Sequence, residues 1–272
     1  MGSVRRSLET KRVGHAGTLD PLATGVLVVA VGPATRFLQY LPLEPKVYEA
    51  SVQFGQATDT QDAEGEVIFE GKLPPDLESS VHDHLPNFLG EVNQVPPMFS
   101  AVKKNGKPLY EYAREGEELD RDPRTIFVEK FEFLGLDGTV GQFRITCSGG
   151  TYIRTLANDL GDAIGCGAFL SGLRRTEVGK FTIKQTIGLQ DVSADKLIAL
   201  KDALPPVPMV SLSPLQVARI REGQSLRLPD LPIAKIVALL DERGVVFAAG
   251  RIEEDRIRPE CVIPFEALYE PI

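Results

Sequence analysis

Gly14-His15-Ala16-Gly17-Thr18-Leu19-Asp20-Pro21-Leu22-Ala23-Thr24-Gly25-Val26-Leu27 is the stretch on which the reading of this chain turns. Proline at 21 disfavours helical geometry for the residue before it, and the three glycines admit tight turns, so Asp20 is expected in a loop. The apolar run Val26 to Val31 that follows reads as a buried strand ended by Gly32-Pro33, which puts Asp20 at the mouth of that strand. Leu19, Leu22, Ala23 and Val26 surround the aspartate with apolar side chains, where a carboxylate is costly to keep ionised without a partner. Taken alone, the Asp-Pro pair is equally well read as a surface turn.

Working outward, Val47 to Phe54 alternates, with Tyr48, Ala50, Val52 and Phe54 on one face and Glu49, Ser51 and Gln53 on the other, the pattern of a strand buried on one side. Ala34 to Leu41 has helical spacing. Phe99 to Lys103, Ile126 to Phe133, Phe143 to Cys147 and Leu170 to Glu177 read as strands, and Asn105-Gly106 as a turn before a short helix near Pro108. Tyr152 to Ile164 is expected to be a helix capped by Gly165. Strands and helices alternate irregularly, so the expected fold class is α+β, with a mixed, largely antiparallel sheet flanked by helices. Pro205, Pro206 and Pro208 form a stiff connection. It divides the chain into an expected domain over 1–204 and a small β-rich domain over 209–272, in which Ser213-Pro214 starts a helix, Gly223 ends it, and strands follow near 235–240, 245–249 and 261–263.

Composition bounds the function. Three cysteines, Cys147, Cys166 and Cys261, are widely spaced, with no pair at metal-ligand spacing, which points to a reducing cytoplasm and to no metal centre. No apolar run approaches the ~20 residues needed to span a bilayer, and Met1 to Thr10 lacks the core of a secretory signal, so a soluble protein without a membrane partner is expected. The formal net charge of -8 opposes nucleic-acid binding at long range. Arg5-Arg6, Lys11-Arg12, Lys103-Lys104-Lys107 and Arg174-Arg175-Lys180 are local basic clusters that folding could bring to one face, and each is also readable as scattered solvated charge.

The opening stretch resembles motif II of the TruB family of pseudouridine synthases. The resemblance continues through Lys46-Val47-Tyr48, through Gly55 to Gly65 (GQATDTQDAEG), through Gln94 to Lys103 (QVPPMFSAVK), through Cys147 to Leu156 (CSGGTYIRTL), and through Gly165 to Ala168 with Leu173-Arg174-Arg175. It implies the pseudouridine synthase fold and an enzyme that detaches the T-loop uracil of tRNA, rotates it and rejoins it through carbon, without metal or other cofactor. It implies that Asp20 is the catalytic carboxylate. An aspartate, with an ordinary pKa of ~3.9, is ionised at neutral pH and needs no second residue to activate it. By the same resemblance Arg154 pairs with Asp20, Tyr48 stacks on the target base, Tyr152 and Leu173 line the uracil pocket, His15 contacts the nucleotide turned out of the loop, and Asp62 lies near the cleft.

Read singly, each of these residues has a plainer role: Arg154 on a helix surface, Tyr48 and Leu173 in the core, His15 in a simple hydrogen bond, Asp62 in a turn. The C-terminal part is similar to a PUA-type RNA-binding domain in length, strand pattern and the closing Val262-Ile263-Pro264, or is a structural extension. The partner implied is the T-arm of tRNA, met by a monomer. The Lys-Pro-x-Gly-x-Thr-Ser strand that the family carries ahead of its Gly-His segment is missing, so the chain reads as shortened, with a sheet edge exposed and packing lost beneath the catalytic loop. That motivates a second reading, a tRNA-binding and folding factor without catalysis. An aspartate-dependent hydrolase unrelated to RNA fits poorly, since no second catalytic carboxylate, serine-histidine pair or metal cluster accompanies Asp20.

Overall fold

The computed structural model describes residues 1–264, in two compact units. One comprises Gly17–Leu27 and Leu43–Thr186, the other Met1–Ala16, Val28–Pro42 and the chain from Ile187 on.

The first unit is built on a seven-stranded sheet whose central strand is Lys46–Phe54. Its alternation behaves as expected, burying Tyr48, Ala50, Val52 and Phe54. Val140–Cys147 pairs antiparallel on one side and Ala168–Val178 antiparallel on the other, and Arg124–Asp137 and Gly90–Gln94 extend the sheet beyond Val140–Cys147. Helix Ile153–Ile164 packs on the sheet through Ile153, Leu156, Ala157 and Leu160, and ends at Gly165, whose φ of 85° is the left-handed cap that glycine takes without strain. Full burial of a side chain such as Leu160 or Phe54 contributes about 1.5–3 kcal/mol, and both belong to the hydrophobic core of this unit. The pairing is antiparallel except where Ala23–Gly25 adds parallel to Leu173–Arg175. Gly25 makes that addition possible: at φ 103°, a Cβ there would lie 2.1 Å from the Arg175 carbonyl oxygen.

Three sequence expectations change. The strand expected over Val26–Val31 is shorter: Val28–Val31 pairs antiparallel with Val13–Ala16 in the other unit, while Ala23–Gly25, ahead of the run, joins the large sheet. Apolar character alone does not mark the residue at which pairing begins. Phe99–Lys103 is not a strand. Only Lys103–Lys104 pairs, with Lys107–Pro108 across the Asn105-Gly106 turn, because the main chain of Phe99 and Ser100 bonds instead to the Arg154 side chain, Met98 and Tyr110. The helix expected over Ala34–Leu41 is a 3-10 helix, Gly32–Tyr40, with Phe37 fully buried.

In the second unit, helix Gly2–Ser7 sets Val4, with Leu8, against Val13 and Val31. A five-stranded sheet runs in the order Met209–Ser211, Ile236–Leu240, Val246–Glu253, Arg256–Val262, Leu226–Arg227. Helix Pro214–Arg221 starts in a capping box between Ser213 and Gln216, as the Ser-Pro signal predicts, and Gly223 follows it at φ 81°. The strand expected at 261–263 is the end of the longer Arg256–Val262. No helix among the described residues is long and apolar enough to cross a membrane.

Candidate active site

Asp20 lies in a non-helical loop that turns tightly through Pro21, with the Ala23 amide donating to the Asp20 carbonyl at 2.9 Å. The loop ends where Ala23–Gly25 docks on Leu173–Arg175, so Asp20 sits beside the sheet and not on open surface. Its carboxylate Oδ2 is 3.4 Å from Nε of Arg154, and its side chain keeps about a third of its surface accessible (35%), enough to meet a substrate.

Arg154 comes from the first turn of helix Ile153–Ile164 and is buried. Its guanidinium is held on several sides. Nη1 lies 3.4 Å from Asp62 Oδ2 and 3.4 Å from the Thr60 carbonyl, to both of which it donates, and Nη2 donates to the Phe99 carbonyl at 2.6 Å. Nε, which faces Asp20, has no hydrogen-bond partner of good geometry. Such fixing leaves the edge toward Asp20 as the one not tied to the protein interior.

Asp62 is itself buried, at 3% exposure, and its carboxylate is saturated: Oδ1 accepts from Thr60 Oγ1 at 2.6 Å and from the Glu64 amide at 3.1 Å, while Oδ2 faces Arg154. The turn carrying it is pinned by hydrogen bonds between Gln61 or Ala63 and Leu170. Asp62 therefore stands behind Arg154, away from the accessible Asp20.

Tyr48 is buried on the central strand, flanked across the sheet by Ile145 and Arg175. Burial is the main cause that holds its hydroxyl above the ordinary value, with the Cys147 thiol and the Asp20 carboxylate pushing the same way and Arg175 opposing. Tyr48 is thus a neutral phenol at physiological pH, electrically coupled to Asp20. Tyr152 caps the Arg154 helix and presents its ring 5.8 Å from the Arg154 guanidinium carbon. Leu173 is half-buried, paired with Ala50 on one side and Ala23 on the other. Asp20, Tyr48, Asp62, Tyr152, Arg154 and Leu173 therefore all belong to one unit. His15 belongs to the other: it is exposed on Val13–Ala16, opposite Val29.

Two further residues shape the site without having been singled out. The buried carboxamide of Gln94 clamps Tyr152, accepting from its amide at 2.8 Å and donating to its carbonyl at 3.0 Å. Arg175, grouped by sequence with surface cations, is buried at 1% exposure, while Arg174 beside it is exposed. The signal was available: Arg175 follows Leu173 by two on a strand and so shares its face. In the Lys103-Lys104-Lys107 cluster, Lys104 and Lys107 engage the Asp120 carbonyl and Glu115.

A mixed sheet bearing a carboxylate–guanidinium pair beside a buried tyrosine places the chain among the pseudouridine synthases. In keeping with this, the fold matches the chain in a structure of an H/ACA ribonucleoprotein bound to a substrate RNA containing 2'-deoxyuridine, with a TM-score of 0.64 and 25% identity over 97% of this chain and 80% of that one. A Cbf5–Nop10–Gar1 complex matches with a TM-score of 0.64 and 27% identity over 96% of this chain and 78% of that one.

More narrowly, the chain belongs to the TruB family of pseudouridylate synthases. The N-terminal domain of that family matches residues 5–153, and the tRNA pseudouridylate synthase B C-terminal domain matches residues 154–214. The tRNA pseudouridine synthase B of Pseudomonas fluorescens (strain Pf0-1) is 40% identical over 97% of this chain and 90% of its own length, and that of Cupriavidus metallidurans is 41% identical over 95% and 87%.

Proposed function

We propose that this protein isomerises the T-loop uridine of tRNA to pseudouridine, with Asp20 as the catalytic carboxylate. The observation that carries the reading is the relay Asp20–Arg154–Asp62, in which an accessible carboxylate and a saturated buried one share a single guanidinium at 3.4 Å each. Arg154 orients Asp20; Asp62 holds Arg154. The target uridine is turned out of its stack to reach Asp20, and Tyr48, Tyr152 and Leu173 enclose the uracil, the aromatic rings offering stacking surfaces. The protein works on the base without a resident metal or organic cofactor, since breaking and remaking one glycosidic bond within one nucleotide needs no redox change.

His15, whose ring is exposed, contacts the extruded nucleotide. Residues 209–272 act as a PUA-like RNA-binding module joined to a catalytic domain over 1–204; the β-rich order of strands from Met209 to Val262 supports this, and 265–272 lie outside the described residues. The protein acts as a monomer on the T-arm in the cytoplasm, a setting that suits three buried free cysteines.

The test is tritium release from unmodified tRNA carrying uridine tritiated at carbon 5. Wild-type protein is expected to release tritium without added cofactor, and Asp20→Asn to release none while still binding tRNA. Release by Asp20→Asn removes Asp20 from its role; binding without release by the wild type leaves a tRNA-binding or folding factor instead.

A further inference from the structure

Among the buried charges of the catalytic unit, Arg175 is one that the reading above leaves without a task. It is 1% exposed, and no carboxylate lies within ion-pair distance of it among the described residues. Its guanidinium reaches instead into the Asp20 loop. Nη2 donates to the Gly17 carbonyl at 3.3 Å and Nη1 to the Thr18 carbonyl at 3.2 Å, before the aspartate; Nε donates to the Val26 carbonyl at 2.8 Å, after it. The Arg175 main chain holds the same segment, its carbonyl accepting from the Val26 amide at 2.8 Å.

We propose that Arg175 is a positioning residue that fixes Asp20 by clamping both flanks of its loop, an inference that rests on Asp20 being the catalytic carboxylate. A buried cation surrounded by three neutral carbonyls and the Tyr48 hydroxyl, with no carboxylate beside it, is expensive to fold, and an apolar side chain would fill this strand position at lower cost. What the guanidinium adds is geometry: beyond the Ala16–Val28 end of the ladder, a rigid fork of donors ties Gly17 and Thr18 to Val26, which no main-chain hydrogen bond joins to each other. At Gly17 the backbone itself, at φ 79°, calls for glycine, and the Arg175 guanidinium lies alongside, 3.6 Å from where a Cβ would stand. Arg175 also hydrogen-bonds the Tyr48 hydroxyl and opposes the upward push of burial on it, so the fork links the Asp20 loop to Tyr48.

Lysine at 175 keeps the charge and loses the fork. Displacing a catalytic group by about 1 Å costs on the order of 10²-fold in rate. Arg175→Lys is therefore expected to lower the single-turnover rate about 10²-fold with saturating unmodified tRNA, while tRNA affinity changes by less than about threefold, the split expected when an interaction serves only the chemical step. Hydrogen exchange is the readout a merely structural role would not give: amides of 17–27 exchange faster in Arg175→Lys, and those of the central strand 46–54 do not. Asp20→Asn runs alongside. If Asp20→Asn turns over, it is the catalytic reading that fails; if Asp20→Asn is inert and Arg175→Lys works at the wild-type rate, the clamp is refuted. Faster exchange throughout the sheet also refutes it, since the arginine is then a general prop. Should Arg175→Lys not fold, Arg175→Gln, which keeps a donor but neither the charge nor the fork, takes its place. The expected result is the same rate loss with an intact sheet, and a wild-type rate overturns the proposal.

Discussion

Replacing Asp62 by asparagine keeps the side-chain volume and an oxygen that accepts from Thr60 Oγ1 and the Glu64 amide, and turns the charged acceptor opposite Arg154 into a neutral NH2 donor. Both partners are enclosed, with side-chain exposures of 4% and 6%, so solvent does little to screen the change. A hydrogen bond to a charged group contributes about 1.5–3 kcal/mol. The 3.4 Å separation is longer than the ~2.7–2.9 Å of a tight charge-assisted bond, which favours the lower figure. At roughly 2–4 °C per kcal/mol for a body of this size, the melting midpoint should fall about 3–6 °C. The guanidinium also loses the anchor opposite Asp20 and keeps only the Thr60 and Phe99 carbonyls behind it. A loss of about 1.4 kcal/mol in orientation appears as about a tenfold slower tritium release. The assays are calorimetry of the free protein and single-turnover release at saturating tRNA. A variant that melts within a degree of wild type and reacts at the wild-type rate would show that Asp62 does not hold Arg154, and the relay would reduce to a single pair.

Two other perturbations follow from the same geometry. Gln94→Ala strips both hydrogen bonds from the Tyr152 main chain inside a buried pocket, so a stability loss of about 1–3 kcal/mol and a weaker hold on the target base are expected, read by thermal melting and by the tRNA concentration needed for half-maximal rate. Asp159, partly buried on the Arg154 helix, has its carboxyl pushed from 3.8 up to about 6, chiefly by burial and also by Asp162, against a hydrogen bond from Asn158. A raised carboxyl binds its proton more tightly when folded, so it costs nothing below about pH 4, and its penalty grows between about pH 4 and 6 and stays constant above. Asp159→Asn should therefore melt a few degrees higher than wild type at pH 8 and level with it at pH 4, roughly 1 kcal/mol once solvent screening is allowed for; equal midpoints at both pH values would contradict it.

The parts of the molecule legible in the sequence are those set by period. Tyr48, Ala50, Val52 and Phe54 share a face because strand side chains alternate, and Ile153, Leu156, Ala157 and Leu160 share one because a helix repeats every 3.6 residues. The glycine at 165 and the Ser213-Pro214 pair mark helix ends by local backbone chemistry alone. Asp20 was recognisable as a loop carboxylate from Pro21 and its glycines. Its partner was not: nothing between residues 20 and 154 encodes that they meet, and only the resemblance to a family suggested it. The run Val26–Val31 was legible as a strand over its last four residues, but apolar character without alternation leaves the choice of its neighbouring strand open.

Charged residues were the harder case. Arg174 and Arg175 are identical in type and adjacent, yet one is exposed and the other is almost wholly enclosed. Charge argues that both belong in water, and it does so correctly for isolated cations. The strand period argues otherwise, because Leu173 and Arg175 face one way and Arg174 the other. The period wins when acceptors wait on the inner side, and here three loop carbonyls do so at 2.8–3.3 Å. Asp62 follows the same rule: a turn aspartate by type, it is drawn inside because a hydroxyl, an amide and a guanidinium converge on it. For a chain of this kind, an arginine two positions from an inward-facing leucine on an alternating strand is better assigned to the interior than to the surface, and the loop that supplies its acceptors is where its role should be sought.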